Sequence, residues 1–254
     1  MSNCEQYSNL ASFYDQLNLE CDYPSLASFL VSEIKKHEKT STSLVLDLAC
    51  GTGKLTMMLH DMGYDMTGVD ISDEMLACAK QISSEKGKND ILWLCQNMTD
   101  FELYGTVDAC VCTLDSINYL SSINDVKKCF SLVHNYLIPD GVFVFDVNTP
   151  YRFENVYGQN DYILESENTL LAWQNDYNKK TRRCNFYLSI FTKEKDGSYR
   201  RIDEVQGEKC YSMRQIKSAL SDCGFEILGV CGSLDGTPIK ETDEKWYFTA
   251  RCIK

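Results

Sequence analysis

Residues Leu44 to Gly53 read LVLDLACGTG, and the order of residue types in this stretch decides the fold. A short apolar run of β type reaches Asp47 and opens at once into a glycine-rich turn. An amphipathic segment follows, with Lys54 outward and Leu55, Met57, Met58 and Leu59 at helical spacing, and Gly63 stands where a helix would stop. This is a strand–turn–helix unit whose turn presents backbone N–H groups to a ligand. Seventeen residues beyond Gly53 a second apolar run ends in Asp70. An acidic side chain at the tip of the neighbouring strand is how nucleoside-binding α/β sheets hold ribose hydroxyls. The pair of features points to a nucleoside ligand. A dinucleotide fold is the rival reading, but its fingerprint wants a third glycine where Thr56 stands, and it leaves Asp47 without a task.

The rest of the chain fits one large α/β unit. It has 254 residues, 44% hydrophobic and 24% charged, with a formal net charge of −12. So acidic a chain is poorly suited to nucleic acid, whose binding draws on Lys and Arg to neutralise phosphates. The dense basic clusters, Lys179-Lys180 with Arg182-Arg183 and Arg200-Arg201, sit beside apparent hairpin turns and read as solvated charge. The opening residues lack a basic start followed by an apolar run, so no secretory signal is expected, and no apolar run approaches the ~20 residues of a membrane span. Thirteen cysteines without a C-x-x-C spacing, most within apolar patterns (Cys78, Cys95, Cys110, Cys112, Cys129, Cys231, Cys252), suit a reduced, cytoplasmic protein. Cys110 and Cys112 share one strand face, but with no histidine nearby core packing is preferred to a metal site.

Strand and helix signals alternate from residue 44 to 147, with strands expected at 44–48, 65–69, 91–95, 107–113 and 142–147. A helix starts at Asp73-Glu74, and another runs from about Asn124 to Leu137, ended by Pro139 and Gly141. Such alternation means βαβ units and a mostly parallel sheet. Beyond Pro150 the pattern turns to period two, giving an antiparallel lobe of roughly three strands, with an Asp196-Gly197 hairpin turn. A helix capped by Ser212 and Gln215 and stopped by Gly224 follows, then two last strands. The expected organisation is a single unit: N-terminal lid helices over 1–40, a ligand-binding core over 41–150, the lobe over 151–211, and a final helix and strand pair over 212–254.

The spelling Asp47-Leu48-Ala49-Cys50-Gly51-Thr52-Gly53 resembles the first motif of class I S-adenosylmethionine-dependent methyltransferases. Val69-Asp70-Ile71-Ser72 resembles their ribose-binding strand end, Gln96-Asn97-Met98 their adenine loop, and DACVCTLDSINYL (108–120) the strand and loop that face the transferred methyl group. Phe13-Tyr14-Asp15 and Asp22-Tyr23-Pro24 look like the lid of small-molecule N-methyltransferases of the amino-sugar and glycine type. The resemblance implies a Rossmann-like, doubly wound, mostly parallel seven-stranded sheet with an inserted antiparallel β lobe, and S-adenosyl-L-methionine as cofactor. It implies cofactor contacts from Tyr14, Asp47, Ala49, Cys50, Gly51, Thr52, Gly53, Asp70, Ile71, Met75, Asn97, Met98 and Leu114. Tyr14, Asp115, Tyr119 and Tyr211 are the polar groups it places near the acceptor.

The chain departs from its relatives in two places. Asn97 stands where Asp is common, and the lobe ends in Gln206, Glu208, Lys209 and Tyr211 where a His-x-Gln-Arg-x-Tyr pattern is often found. The three histidines, His37, His60 and His134, read as surface or structural residues, and Trp173, Tyr177 and Tyr187 read as either lobe core or pocket wall. The expected activity is methyl transfer to a small-molecule acceptor, nitrogen favoured over oxygen, without nucleic acid, membrane or metal. A cofactor-binding sensor without turnover, motivated by the missing lobe histidine, and a methyltransferase acting on RNA or protein are the alternatives.

Overall fold

The fold is taken from a computed structural model, which describes residues 21–166 and 168–254. Tyr14 and the 13–15 segment of the expected lid lie outside the described residues. The remaining lid sequence forms helix α1 (Tyr23–His37), which Asp22 caps by accepting from the Ser25 N–H at 3.0 Å, with Pro24 in the first turn where a missing N–H costs nothing.

The core alternates as its sequence pattern demands: β1 (Leu44–Leu48), α2 (Lys54–Asp61), β2 (Asp65–Asp70), α3 (Asp73–Glu85), β3 (Leu92–Cys95), β4 (Val107–Cys112), α4 (Ile123–Tyr136) and β5 (Leu137–Asn148). The last elements are α5 (Met213–Asp222), β10 (Phe225–Cys231) and β11 (Lys245–Cys252). These strands make a seven-stranded sheet of order β10-β11-β5-β4-β1-β2-β3, parallel except that β11 runs antiparallel to both neighbours. The strand order reverses between β1 and β4, where doubly wound sheets open a crevice for ligands.

Alternation along β5 shows why both faces are covered. Phe143, Phe145 and Val147 enter a core with α4 and α5, while Val142 and Val144 enter the opposite core with α1, α2 and α3. Cys110, Cys112 and Cys129 lie in the first of these cores, as packing residues. One boundary differs from the sequence reading. The helix stops at Tyr136, and Leu137 already pairs with Val107; the chain then passes Pro139 and Asp140, the latter at φ 65°, before regular pairing resumes at Val142. Pro139 and Gly141 therefore mark an irregularity at the start of the strand, not the end of the helix.

The lobe has one strand more than its sequence suggested. β6 (Tyr162–Glu165), β7 (Thr169–Asn178), β8 (Arg183–Lys193) and β9 (Tyr199–Lys209) form an antiparallel sheet in sequence order. β6 is only four residues long and mostly exposed, so it carries little alternation to read. The β8–β9 turn is the expected one, with Gly197 at φ 86°. Asn118 sews the lobe to the core: its Nδ2 donates to the Lys209 carbonyl at 2.9 Å and its Oδ1 accepts from the Asn148 N–H at 2.9 Å. It is fully buried and structural.

Trp93 of β3 packs against Gly68 of β2 and Gly53 at the start of α2. A Cβ on Gly68 would sit 2.6 Å from its ring and 2.9 Å from the Cys50 sulfur, closer than atoms pack. Gly68→Ala should therefore lower stability by about 1–3 kcal/mol, the usual cost of overpacking, as read by urea denaturation. An unchanged midpoint would show that Trp93 can move freely.

Candidate active site

The carboxyl ends of β1, β2, β4 and β5, the start of α1 and the inner face of the lobe enclose a cavity of about 1410 Å³. At one end stand the β1 turn and the tip of β2. Ala49, Cys50, Gly51 and Thr52 line the cavity, and Ala49 holds φ at 61°, an uncommon angle for a residue with a side chain.

The turn is not the open row of donors its glycines suggested. Cys50 N–H donates to the Val69 carbonyl (3.0 Å), Gly53 N–H to the Cys50 carbonyl (3.0 Å) and Gly51 N–H to Asp70 Oδ2 (2.8 Å). Gly53 does not line the cavity. Its φ of 72° and a Cβ position only 2.2 Å from Trp93 show that packing requires a glycine here. The turn instead fixes two carboxylates. Asp70 accepts from Gly51 and, through Oδ1, from Ser72 N–H at 2.9 Å, while burial still pushes its carboxyl above the usual range. Asp47 is fully buried, accepts from Thr56 Oγ1 at 2.5 Å, and has no salt bridge among the described residues. Burial, and secondarily the charge of Asp70, raise its pKa to about 7. Ile71, Met75 and Met98 add an apolar wall, and Ile71 is 67% exposed toward this space. Asn97 does not line it: the side chain is exposed, and its Oδ1 accepts from the N–H and hydroxyl of Thr99. Asn97 thus caps its own turn, next to the wall residue Met98.

The other end is built by residues from five segments of the chain. Leu114 and Asp115, just after β4, both take the left-handed conformation (φ 55° and 57°). Asp146 of β5 holds them there, accepting from Leu114 N–H at 2.8 Å and Asp115 N–H at 2.7 Å. Because β11 is antiparallel, its first residue, Lys245, lies at this same end of the sheet. Its ammonium donates to Asp115 at 2.8 Å and to Asp146 at 3.1 Å. Burial opposes the charge on Asp115, but Lys245 and then Arg152 outweigh it and hold the carboxyl below its usual value. Glu208 comes in from β9, buried, hydrogen-bonded to Asp115 and accepting from Asn148 Nδ2 at 2.8 Å. Arg152 lies over the Tyr157 ring, 4.9 Å from its centroid, and pairs with Glu244 at 3.2 Å.

Tyr119 lines the cavity and donates to Gln206 at 2.8 Å. Tyr211 does not. It is completely buried in the core against α4 and α5, and its hydroxyl donates to the Leu120 carbonyl, so it cannot meet an acceptor. Its catalytic assignment is withdrawn. Trp173 is pocket wall, with Tyr162, Phe186 and Leu188, whereas Tyr177 stacks on Phe153 and Tyr187 faces outward. The three histidines lie away from the cavity; His60 meets Asp90 and His134 meets the Ile253 carbonyl, each at 3.0 Å. Sequence reading missed Lys245, Asp146 and Arg152, which no short motif links, and it noted Glu208 at the end of the lobe without giving it a site role.

Residues 45–141 match the methyltransferase domain family. A protein of Geobacillus sp. (strain WCH70) classed among the methyltransferases is 30% identical over 245 residues, covering 96% of this chain and 99% of that relative. The glycine/sarcosine N-methyltransferase of Halorhodospira halochloris is 25% identical over 226 residues, 82% of this chain and 80% of its own. The crystal structure of an S-adenosylmethionine-dependent methyltransferase from Clostridium acetobutylicum superposes with a TM-score of 0.89, at 28% identity and 98% and 99% coverage. The chain belongs to the S-adenosylmethionine-dependent methyltransferases. Its cofactor is S-adenosylmethionine, and the site suits that molecule: a buried carboxylate lacking a cation matches an ammonium, and the half-exposed apolar wall matches a base. No helix among the described residues is long and apolar enough to cross a membrane.

Lys245 neutralises two carboxylates at once, the buried Asp146 and the partly buried Asp115. Lys245→Met should cost about 3–5 kcal/mol of stability at neutral pH, because Asp115 and Asp146 lose their counter-charge. Without Lys245, burial would push the folded-state pKa of Asp115 above its unfolded value, so the deficit should shrink as pH falls. Denaturant titrations of both proteins at mildly alkaline and mildly acidic pH check the size and the sign.

Proposed function

We propose that this methyltransferase acts in the cytoplasm on the nitrogen of a small-molecule amine, working as one unit of core, lobe and lid. The observation that carries the reading is the chemistry of the cavity's far end. Two carboxyl groups, Asp115 and Glu208, stand there beside Trp173, Tyr157 and Phe186, a combination of acidic groups and aromatic faces that suits a cationic acceptor. The likeness to a glycine/sarcosine N-methyltransferase over most of both chains supports the same class. The absence of a disulfide among the described cysteines supports the compartment.

On this reading Asp70 holds the ribose hydroxyls, Asp47 the methionine ammonium, and Ile71, Met75 and Met98 the adenine, with Ala49, Cys50, Gly51, Thr52 and Leu114 shaping the contact through their backbone. Tyr14 of the lid is a further contact carried over from the family resemblance. When bound, S-adenosylmethionine supplies a methyl carbon activated by a sulfonium. The protein's own work is alignment and exclusion of water. The Asp146 clamp fixes the 114–115 backbone against the reacting centre, Tyr119 held by Gln206 orients the acceptor, and the lobe covers it. The lobe position without histidine is no obstacle, since Glu208 supplies a buried acid–base group nearby.

The test is an acceptor screen with S-adenosylhomocysteine release as readout, offering amines such as glycine, sarcosine and amino-sugars beside hydroxyl and carboxylate acceptors. Turnover confined to amines is the expected result; turnover confined to oxygen acceptors would overturn the assignment. Independently, Asp70→Ala should weaken S-adenosylhomocysteine binding by about 1.5–3 kcal/mol through loss of charged hydrogen bonds, measured by calorimetry. Unchanged affinity would move the ribose elsewhere.

A further inference from the structure

Glu208 is a site group whose presence packing does not explain. It sits in β9, on a strand whose neighbouring positions are half exposed, yet it is 2% exposed and turned inward between the two sheets. A carboxyl buried this deeply is costly unless it has a task or a complete set of partners. Its surroundings are mixed. Asp115 from the β4 loop shares a hydrogen bond with it; Asn148 of β5 donates to it at 2.8 Å; Lys245 of β11, Tyr157 and Cys184 of β8 lie close enough to feel its charge, and Arg152 lies over the Tyr157 ring. The Lys245 ammonium is already shared between Asp115 and Asp146, so Glu208 has no cation of its own among the described residues.

We propose that Glu208 takes the proton from the acceptor nitrogen, with Asp115, held by Lys245, as the partner that shares its hydrogen bond. This rests on the amine reading above. In the empty site burial first, and then the charge of Asp115, raise the Glu208 pKa and so favour its protonated form, which can donate to Asp115. Entry of an acceptor ammonium beside it favours the carboxylate, and the carboxyl proton leaves to solvent. The acceptor N–H bond then breaks, and its proton moves to the Glu208 carboxylate. The freed nitrogen lone pair takes the methyl group, and the C–S bonding pair stays on sulfur. One proton has left to solvent, the product is a methylammonium, and Glu208 is again protonated, so charge and atoms balance over the cycle. The arrangement places a proton acceptor where relatives often carry a histidine motif, and it needs no group beyond those in the cavity.

The test needs no known acceptor. Sinefungin is a cofactor analogue in which a carbon bearing an amine replaces the methyl-sulfonium, so it presents an ammonium at the point of transfer; S-adenosylhomocysteine presents none. Calorimetric titration of the full chain in two buffers of different ionisation heat counts protons released. Both ligands carry the same methionine ammonium, so any proton exchange at Asp47 cancels in the comparison. Sinefungin should release about one more proton per site than S-adenosylhomocysteine at neutral pH. In Glu208→Gln, which keeps the length and the bond to Asn148, that excess should vanish while S-adenosylhomocysteine affinity stays within about twofold. An equal proton count for the two ligands, or an excess that persists in Glu208→Gln, would overturn the proposal. Failure of both ligands to bind the wild type would instead contradict the cofactor site. A folded Glu208→Gln protein is verified by its unaltered S-adenosylhomocysteine binding; should that variant not fold, Glu208→Asp, which shortens the reach but keeps the acid, must retain the excess.

Discussion

Four carboxylates converge under one end of a parallel sheet, and the need to compensate their charges in a buried space shapes this site. Asp47, Asp70 and Asp146 lie at or near the carboxyl ends of β1, β2 and β5, and Asp115 follows β4. Leaving any of them desolvated and unpaired would cost several kcal/mol, so each demands a partner. Asp70 finds two backbone donors in the β1 turn and the start of α3. Asp115 and Asp146 share Lys245. Asp47 has a threonine hydroxyl, and its raised pKa is the sign of a charge left for the ligand to complete.

The same constraint explains the antiparallel last strand. A parallel β11 would bring its C-terminal residue to this end of the sheet; the antiparallel one brings Lys245, directly opposite Asn148 in register. From there its ammonium reaches back to Asp146, whose other contacts hold the two left-handed residues Leu114 and Asp115. Left-handed backbone at two successive residues with side chains is strained, and strain of this kind persists where surrounding bonds over-determine it. Here the over-determining group is a single carboxylate. The lobe then closes the space through Asn118 and Asn148, so that the acceptor end is made jointly by two sheets and changes in either would alter substrate choice.

What the sequence makes legible is whatever lies in one short window. Asp47, the 49–52 turn and Asp70 are read from one strand–turn–helix–strand unit, because sterics and burial there are local. Gly53 shows the limit: its place in a glycine-rich turn was readable, but the need for glycine there comes from the Trp93 ring, forty residues away. Lys245 and Asp115 are 130 residues apart, and a lysine opening an edge-like strand looks like any solvated charge until sheet order is known. Glu208 sits in a strand of alternating polar residues, where nothing local distinguishes the inward carboxylate from the outward ones. Tyr211 failed for the converse reason. Its place at the end of the lobe motif suggested the pocket, whereas the chain turns there toward α5 and carries the ring into the core.

The account turns on Asp47 as an incomplete charge that the cofactor's ammonium completes. Its most direct test is the pH dependence of S-adenosylhomocysteine affinity, compared between the wild type and Asp47→Asn. Because the free protein holds this carboxyl protonated below about 7, wild-type affinity should rise with pH up to that point and then level off. Asp47→Asn should bind weakly and without that rise. A wild-type affinity that is flat across the same range, or an asparagine variant that binds as tightly as the wild type, would contradict the account.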